Sequence, residues 1–175
     1  PALFTCASLV GEPGHTAVGA SNGHIYIFGV DYMAHTKLEA AHLGGVTAMC
    51  LYNKAQLVSG GKDGTVAVWA TSDLAAPQRT IRAHKKFINA LAWEPLHRGD
   101  AAGACGRFAS ASKDGTVRLW ERATGRPVLT LSGHADSVSS VRWGGDGLLF
   151  TGSHDRTVKV WAAAEGKLVR TLDGH

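Results

Sequence analysis

Serine or threonine, histidine and aspartate recur along the chain at regular distances, and these are the residue types of a nucleophilic triad. Each set also carries a tryptophan six residues after its aspartate. The three sets are His42, Ser59, Asp63 and Trp69; His84, Ser110, Asp114 and Trp120; and His134, Thr151, Asp155 and Trp161. An enzyme is not expected to build one triad per repeat, and threonine replaces serine in the third set. We therefore predict a structural role for all three sets, no catalytic residue and no enzymatic activity.

Metal and cofactor chemistry is the next possibility, because the chain has nine histidines and three cysteines. Their spacing contains no CxxC, CxxH or HxxxH pattern, so no metal site is expected. The segment GGDG at 144–147 lacks the Lys-Ser/Thr of a phosphate-binding loop and is typical of a hairpin turn. We predict no cofactor. Cys6, Cys50 and Cys105 are odd in number and far apart, which favours a reducing compartment and, for Cys6 and Cys50, burial as small apolar side chains.

The elements that must position these residues repeat along the chain. Trp69, Trp120 and Trp161 are 51 and 41 residues apart, and Phe28 lies 41 residues before Trp69. The aligned segments are ASNGHIYIF at 20–28, GKDGTVAVW at 61–69, SKDGTVRLW at 112–120 and SHDRTVKVW at 153–161. Alternating apolar residues such as TVAVW predict half-buried strands, and the preceding Asn-Gly or Asp-Gly predicts a tight turn in the first three. For the second repeat we predict four strands, at roughly 46–51, 56–60, 65–70 and 78–82.

This pattern resembles the WD-repeat family, whose units of 40 to 45 residues carry a histidine near the start and a tryptophan near the end. The resemblance covers nearly the whole chain and implies an all-β fold, a β-propeller with four blades of four antiparallel strands. We place one propeller segment over 1–175, with repeats at approximately 1–41, 42–83, 84–133 and 134–175. The residue after each tryptophan is Ala70, Glu121 or Ala162 rather than the family's aspartate, a surface-turn position that does not alter the expected fold.

The resemblance also implies roles for the three polar sets. The histidine is expected to bond the aspartate and the Ser/Thr hydroxyl, and this hydroxyl to reach the tryptophan N–H, so that buried polar groups are satisfied. The first repeat departs from the pattern, with Val18, Asn22 and Phe28 at the Ser, Asp and Trp positions. We expect that repeat to lack the network and to form an edge or degenerate blade.

Propellers of this family mostly have seven or eight blades, so four repeats predict an arc of a larger ring. The outer faces of an arc would be apolar and exposed, which favours self-association through the open edges. Pairing of two copies into an eight-bladed ring and a four-bladed monomer remain alternatives.

Composition limits the remaining classes of protein. The 175 residues are 45% apolar, and no stretch approaches the 18 to 20 consecutive apolar residues of a membrane helix. The first residues have no basic segment ahead of an apolar one, so we expect neither membrane association nor secretion. The formal charge of +4 permits contact with RNA or an acidic protein without requiring either.

The second half carries a more specific resemblance. HKKFINALAWEPLH, SASKDGTVRLW and LSGHADSVSSVRWGGDGLLFTGSHDRTVKVW are similar to the central repeats of the Notchless family of large-ribosomal-subunit assembly factors. This resemblance, over about 84–175, implies a scaffold in the nucleus or nucleolus that binds proteins of the pre-ribosomal particle, with RNA contact. The first half resembles only WD repeats in general. A WD-repeat peptide-binding or microtubule-associated adaptor in a cytoplasmic complex is therefore the alternative.

Partners of a propeller bind to the loops at the rims, because the strands are occupied in packing. The residue before the turn aspartate and the residues after the repeated histidine are the expected contact positions. The candidate partner-binding surface is Lys62, Lys85, Lys86, Phe87, Lys113 and His154. Lysines around an exposed phenylalanine suit RNA or an acidic peptide, although lysines at such places can also serve only to keep a surface soluble.

Overall fold

The computed structural model describes residues 2–9, 15–29, 35–39, 41–52, 56–95 and 106–174. The chain divides into two compact units, Pro1–Asn89 and Ala90–His175. Within the described ranges all regular structure is β-strand, and none of these residues forms a helix that could cross a membrane.

The first unit contains two four-stranded antiparallel sheets in which the strands lie side by side in chain order. The first sheet consists of β1 (Phe4–Leu9), β2 (Thr16–Ala20), β3 (Ile25–Phe28) and β4 (His35–Leu38). The second consists of β5 (Val46–Tyr52), β6 (Gln56–Gly61), β7 (Thr65–Ala70) and β8 (Arg79–Arg82). The four strands predicted for the second repeat are found within one or two residues of their expected bounds.

The third and fourth sheets have the same strand order. The third consists of β9 (Ile88–Trp93), which begins at the end of the first unit, β10 (Arg107–Ser112), β11 (Thr116–Glu121) and β12 (Pro127–Ser132). The fourth consists of β13 (Val138–Trp143), β14 (Leu148–Ser153), β15 (Thr157–Ala162) and β16 (Lys167–Asp173). Four antiparallel sheets of four strands confirm the all-β fold expected from the repeats.

Apolar residues of neighbouring sheets form the core of each unit. In the first unit, Ala17, Ile25 and Ile27 of the first sheet pack with Leu57 and Trp69 of the second. In the second unit, Val117 and Leu119 of the third sheet pack with Val141, Leu149 and Trp161 of the fourth. In each unit, one face of the earlier sheet is thus buried against the tryptophan-bearing face of the later sheet.

Arg107 forms an ion pair within the third sheet and also contacts the fourth sheet, at one end of their strands. Arg107, the first residue of β10, makes two hydrogen bonds to the Glu94 carboxylate, at 2.5 and 2.8 Å. A third N–H of the same guanidinium donates to the Ala163 carbonyl at 3.0 Å, and the guanidinium lies 5.4 Å from the centre of the Trp143 ring. Both charged side chains are largely buried, a setting in which paired geometry matters most.

The tight turns between the second and third strands of each sheet require a residue with positive φ, in the left-handed region of backbone conformation. Gly23, Gly64 and Gly115 have φ of 84°, 76° and 84°, as the Asn-Gly and Asp-Gly pairs predict. Arg156 holds the same place in the fourth sheet with φ of 70°, so this turn accommodates a side chain at the usual conformational cost.

We predict that Gly64→Ala destabilises the protein far more than Gly115→Ala, although both residues have nearly the same φ. A Cβ on Gly64 would lie 2.4 Å from the His84 carbonyl oxygen, whereas the nearest atom to a Cβ on Gly115 would be the Asp136 carbonyl oxygen, at 3.5 Å. Conformational strain alone costs about 1–2 kcal/mol, and the clash at Gly64 adds to it. Urea unfolding of the two variants measures this difference; equal losses would contradict the steric explanation.

Candidate functional site

Two of the three polar sets are completed by hydrogen bonds inside a single unit. In the fourth sheet, the Trp161 indole Nε1–H donates to the Thr151 hydroxyl at 2.9 Å, and that hydroxyl lies 2.8 Å from His134 Nε2. On the other side of the ring, His134 Nδ1 is 2.8 Å from an Asp155 carboxylate oxygen. An Nδ1–H donating to the carboxylate leaves Nε2 to accept from the hydroxyl, which is the tautomer that these contacts fit.

The second sheet repeats this chain of contacts with one difference. Trp69 Nε1–H donates to the Ser59 hydroxyl at 3.0 Å, and the hydroxyl is 2.8 Å from His42 Nε2. His42 Nδ1, however, is closest to the Thr65 hydroxyl, at 2.9 Å, and that hydroxyl donates to Asp63 at 2.7 Å. The histidine therefore reaches its carboxylate chiefly through Thr65.

The turn aspartates also bind the backbone on both sides of the turn. The Asp63 carboxylate accepts from the Leu43 and Thr65 N–H groups at 2.8 and 2.9 Å. The Asp155 carboxylate accepts from Ala135 N–H at 2.9 Å and from the Thr157 N–H and hydroxyl at 2.9 and 2.7 Å. Each aspartate thus ties the connection before a sheet to the hairpin within it.

The third set is divided between the two units. In the second unit, Trp120 Nε1–H donates to the Ser110 hydroxyl at 2.8 Å, and Asp114 accepts from the Thr116 hydroxyl at 2.6 Å. His84 is buried in the first unit, and its participation in this set stays a prediction.

The first sheet has aromatic contacts where the other sheets have the polar set. Phe4 contacts Tyr26 and Phe28 edge to face, with ring centres 6.0 and 6.5 Å apart. Asn22, at the aspartate position, accepts from His24 N–H at 3.2 Å and donates to the Tyr26 hydroxyl at 3.3 Å. A valine at position 18 supplies no hydroxyl, and a phenylalanine at position 28 needs none.

Threonine two residues after the aspartate is a member of the set that the sequence interpretation missed. Thr65, Thr116 and Thr157 all donate a hydroxyl hydrogen bond to their aspartate. Their constant spacing in three repeats was a usable signal. The pairing of Glu94 with Arg107 was also missed, and no periodic signal marks it, because the two residues lie at the end of β9 and the start of β10 and belong to no repeated position.

The pKa values of His42, Asp63 and Asp155 are all lower than usual, for reasons of burial and hydrogen bonding. Burial lowers the pKa of His42, against the opposing attraction of the Asp63 carboxylate. Burial alone would raise the pKa of Asp63, but the hydrogen bonds from Thr65 and Leu43 together hold it below its usual value. In the same way, donors from Thr157, His134 and Ala135 outweigh burial and hold the pKa of Asp155 well below its usual range.

The histidine, hydroxyl and carboxylate stand in the order of a nucleophilic triad, yet the hydroxyls are inaccessible. Ser59 and Thr151 are buried, and each accepts the indole N–H of a tryptophan that is buried as well. A substrate carbonyl has no approach to such an oxygen.

Metal and thiol chemistry find little support in the described part of the chain. The described residues contain no cluster of three or more His, Cys, Asp or Glu side chains suited to a metal ion. Cys6 and Cys50 lie in strands and are half-buried, and burial raises the pKa of the Cys6 thiol, which disfavours the reactive thiolate. Cys105 lies outside the described residues.

The candidate partner-binding residues lie in the expected turns. Lys62, Lys85, Lys86 and Phe87 are exposed residues of the first unit, and Lys113 and His154 are exposed residues of the second. The turn of Lys62 is hydrogen-bonded to the connection before β5 and to the connection after β8. Lys62 N–H donates to the Gly45 carbonyl at 2.9 Å. The Gly64 carbonyl accepts from the Ala83 and His84 N–H groups at 3.0 and 2.9 Å. Lys62, Lys85, Lys86 and Phe87 are thereby brought to one end of the second sheet.

We predict that Thr151→Val costs about 2–6 kcal/mol of unfolding free energy and Thr151→Ser about 1 kcal/mol or less. Valine keeps the shape but leaves Trp161 Nε1 and His134 Nε2 without their partner, and each orphaned buried group costs about 1–3 kcal/mol. Serine keeps the hydroxyl and loses only a methyl group. Urea unfolding compares the pair; a serine variant as unstable as the valine variant would refute the role of the hydroxyl.

We predict that acid destabilises the protein in two stages. The lowered pKa of His42 means that folding disfavours its protonation, so stability is complete above the unfolded value near 6.5 and falls as pH decreases below it. The lowered pKa values of Asp63 and Asp155 remove further stability below about pH 4. Urea midpoints between pH 7.5 and 5 should fall less in His42→Gln than in the native chain; an identical slope would exclude His42 as the source.

Comparison with known proteins gives these features a family. The family model described as "WD domain, G-beta repeat" matches residues 35–70, 75–121 and 125–162. Each match begins with or just before the last strand of one sheet and continues through the first three strands of the next. The matches cover more than half of the chain.

Individual relatives agree with this assignment. The chain is 47% identical to Protein Notchless of Drosophila melanogaster over 73 residues, which are 42% of this chain and 14% of the fly protein. It is 47% identical to Ribosome assembly protein 4 of Chaetomium thermophilum over 144 residues, with 57% of this chain and 27% of that protein covered. The chain thus spans less than a third of these relatives.

A solved structure matches the fold over almost the whole chain. A chain in the crystal structure of the Mitotic Checkpoint Complex superimposes with a TM-score of 0.83 and 25% identity, covering 98% of this chain and 51% of the other. Together with the three matched repeats and the four four-stranded sheets, this establishes that the chain belongs to the WD40 repeat family and has its β-propeller fold.

Proposed function

We propose that the chain is part of a non-catalytic scaffold for assembly of the large ribosomal subunit, acting in the nucleus or nucleolus. The observation that carries the proposal is the 47% identity to Notchless and to Ribosome assembly protein 4. This identity is higher than the few residues that every repeat shares would give by themselves. The repeated positions are a small part of each unit, so identity of this size extends to residues that the fold alone does not require.

The geometry of the polar sets supports a binding role over a catalytic one. Within the described residues, the triad-like hydroxyls of Ser59 and Thr151 are buried and bonded to tryptophan. Their chemistry is used to hold turns and sheets in place. What the turns expose are side chains suited to contact with other macromolecules.

The contact surface that we propose for the first unit consists of Lys62, Lys85, Lys86 and Phe87. The turn of Lys62 is held against the connection that carries the other three, as a Cβ on Gly64 would meet the carbonyl oxygens of both His84 and Lys86 within 3.1 Å. Asp63, the acidic residue of this turn, directs its carboxylate to Leu43, Thr65 and His42. The surface therefore combines positive charge with an aromatic side chain that is 40% exposed.

Within an assembly particle, pre-ribosomal RNA is the partner whose phosphates and bases suit the lysines and the phenylalanine of this surface. Lysine ammonium groups neutralise phosphates, and an exposed aromatic ring can stack on an unpaired base. In the second unit, Lys113 and His154 take the place of Lys62 in the turns of the third and fourth sheets, and we propose that they contact the same particle.

We predict that affinity purification of the tagged chain from a eukaryotic cell lysate enriches large-subunit precursor rRNA and large-subunit assembly proteins over their small-subunit counterparts. Enrichment of tubulin or of a signalling complex instead would favour a cytoplasmic adaptor and overturn the ribosomal role. Equal recovery of both subunits' precursors would also contradict it, because a basic surface alone gives that result.

Charge variants separate a role in assembly from RNA contact by the proposed surface. Lys62→Ala with Lys85→Ala should lower the salt dependence of binding to a large-subunit precursor transcript by roughly 0.7 in log–log slope for each lost phosphate contact. The matched control is Lys37→Ala with Lys167→Ala, which removes the same charge at other exposed positions. If both pairs change the slope equally, the surface is not specific; if purification succeeds without any effect of Lys62 and Lys85, the particle is bound elsewhere.

A further inference from the structure

We propose that Thr47 is a positioning residue of the contact surface, because its hydroxyl links the backbone that leads to Lys62 with the backbone that follows Phe87. The inference rests on the proposed function of this surface and adds a residue that touches no partner itself. A single hydroxyl bonded to two neighbouring sheets fixes the distance between a lysine that binds phosphate and an aromatic ring that stacks on a base.

A β-bulge takes Thr47 out of the regular ladder of the second sheet. The residues before and after Thr47 pair with the consecutive residues Gly61 and Gly60 of β6, so Thr47 is the extra residue between two regular pairs. The extra residue of a bulge has no partner in the ladder, and its side chain is re-aimed relative to its neighbours. The bulge therefore decides where the Thr47 hydroxyl points.

The Thr47 hydroxyl donates to carbonyl oxygens of two different sheets. One belongs to Gly60, in β6 of its own sheet, at 3.0 Å. The other belongs to Ile88, the first residue of β9, and this contact is the shorter of the two. All three residues lie in the first unit. Because a hydroxyl has one proton, the two carbonyl oxygens share it, and both strands are held to the same point.

Both carbonyl groups lie next to the contact surface along the chain. Gly60 stands two residues before Lys62, and Ile88 directly follows Phe87. The Lys62 N–H in turn donates to the carbonyl of Gly45, the residue before β5, at 2.9 Å. The bulge at the start of β5 thus determines, through backbone segments of one or two residues, where the lysine and the phenylalanine stand relative to each other.

The same arrangement occurs at two other bulges. Thr5 is the extra residue of β1, and its hydroxyl donates to the Gly19 carbonyl at 2.9 Å and to the Val46 carbonyl of the next sheet at 2.5 Å. Ser139 is the extra residue of β13 and donates to the Gly152 carbonyl at 3.1 Å. A hydroxyl at this place recurs in three sheets, which indicates that its bonds are part of how the sheets are held.

A fixed distance between contact residues lowers the entropic cost of binding. Side chains on segments that move independently have to be brought to one arrangement when the partner binds, and this ordering weakens affinity. The contacts themselves do not depend on the Thr47 hydroxyl, so the number of phosphates neutralised stays the same without it. A positioning residue is therefore recognised by a change of affinity at an unchanged salt slope, whereas loss of a contact lysine changes the slope.

Hydrogen exchange of the free chain tests the link made by Thr47. Thr47→Ala removes the hydroxyl, and the amides of 60–64 and 84–88 should then exchange about 5- to 10-fold faster, because losing a hydrogen bond favours local opening. Thr47→Val should have the same effect. Thr47→Ser keeps the hydroxyl and should exchange like the native chain. The turn at 153–157 lies in the second unit and is the internal reference, where no change is expected.

Thr80→Val is the matched control variant. Thr80 is an exposed residue of β8, at the opposite edge of the second sheet from Thr47, and pairs with Ala67. The variant removes a threonine hydroxyl from the same sheet and should leave exchange at 60–64 and 84–88 unchanged. Circular dichroism confirms that each variant is folded, and its unfolding midpoint shows that exchange is measured below the transition.

Binding of a large-subunit precursor transcript provides the second readout. The dissociation constant of Thr47→Ala should be about 5-fold higher than that of the native chain. The log–log salt slope should stay as in the native chain, in contrast to Lys62→Ala with Lys85→Ala, which lowers it. Thr47→Ser should restore the native affinity, and Thr80→Val should retain it.

Several outcomes would overturn the proposal. Unchanged exchange in Thr47→Ala excludes the link, whether or not RNA binds. Faster exchange in Thr47→Val alone also excludes it, since this would report a clash of the valine methyl with the carbonyl oxygens. Equal acceleration at 153–157 indicates general destabilisation, and faster exchange with native affinity excludes a role in binding. A native chain that does not bind the transcript overturns the RNA contact and any role of Thr47 in it, while the exchange data still decide whether Thr47 links the two segments.

Discussion

A tryptophan indole buried between two sheets has to donate its N–H to something, and the polar structure of this protein follows from that requirement. The Ser59 and Thr151 hydroxyls accept from Trp69 and Trp161. A hydroxyl buried in this way needs a further partner, which is Nε2 of a histidine. The histidine in turn needs an acceptor at Nδ1, and the turn aspartate lies there, directly or through a threonine. Each step satisfies a buried group and creates the need for the next.

The same chain of bonds explains why the turns are well defined. Because the aspartate ends the series, its carboxylate is free on its remaining sides to accept backbone N–H groups from the hairpin and from the connection before the sheet. A requirement that begins in the core thus orders loops at the surface. The lowered pKa values favour the ionised carboxylate of Asp63 and the neutral ring of His42. Acid therefore destabilises the network by protonating both the histidine and the aspartate.

Much of this was accessible from the sequence, because it depends on local periodicity. The spacing of Trp69, Trp120 and Trp161 and the Asp-Gly pairs predicted the strands and turns of the second repeat nearly to the residue. The replacement of the polar set by Val18 and Phe28 was equally visible. The relay through Thr65 was not visible. The constant spacing of the threonine could mark it as a member of the set, but the choice between direct and relayed contact depends on tenths of an ångström.

Other features depend on contacts between residues that no periodicity relates. Glu94 and Arg107 stand at the two ends of the longest connection within a sheet, and their pairing is decided by how the third sheet packs on Trp143 and Ala163. Which face of a sheet is buried by its neighbour is a feature of the same kind. An alternating strand shows that one side chain in two is apolar, but the register of three neighbouring strands is needed to tell which row meets which.

The division between buried and exposed positions also limits where specificity can reside. Positions that repeat in this chain, such as the aspartate and tryptophan, are used for burial and turn formation and are alike in the second, third and fourth sheets. The residue just before the aspartate is less constant, being lysine at positions 62 and 113 and histidine at position 154, and it is exposed each time. A scaffold of similar sheets can distinguish its partners only through positions whose side chains the fold does not prescribe. Because the network holds the backbone of each turn rigid, those side chains are presented at defined places and lose less entropy on binding than they would on a flexible loop.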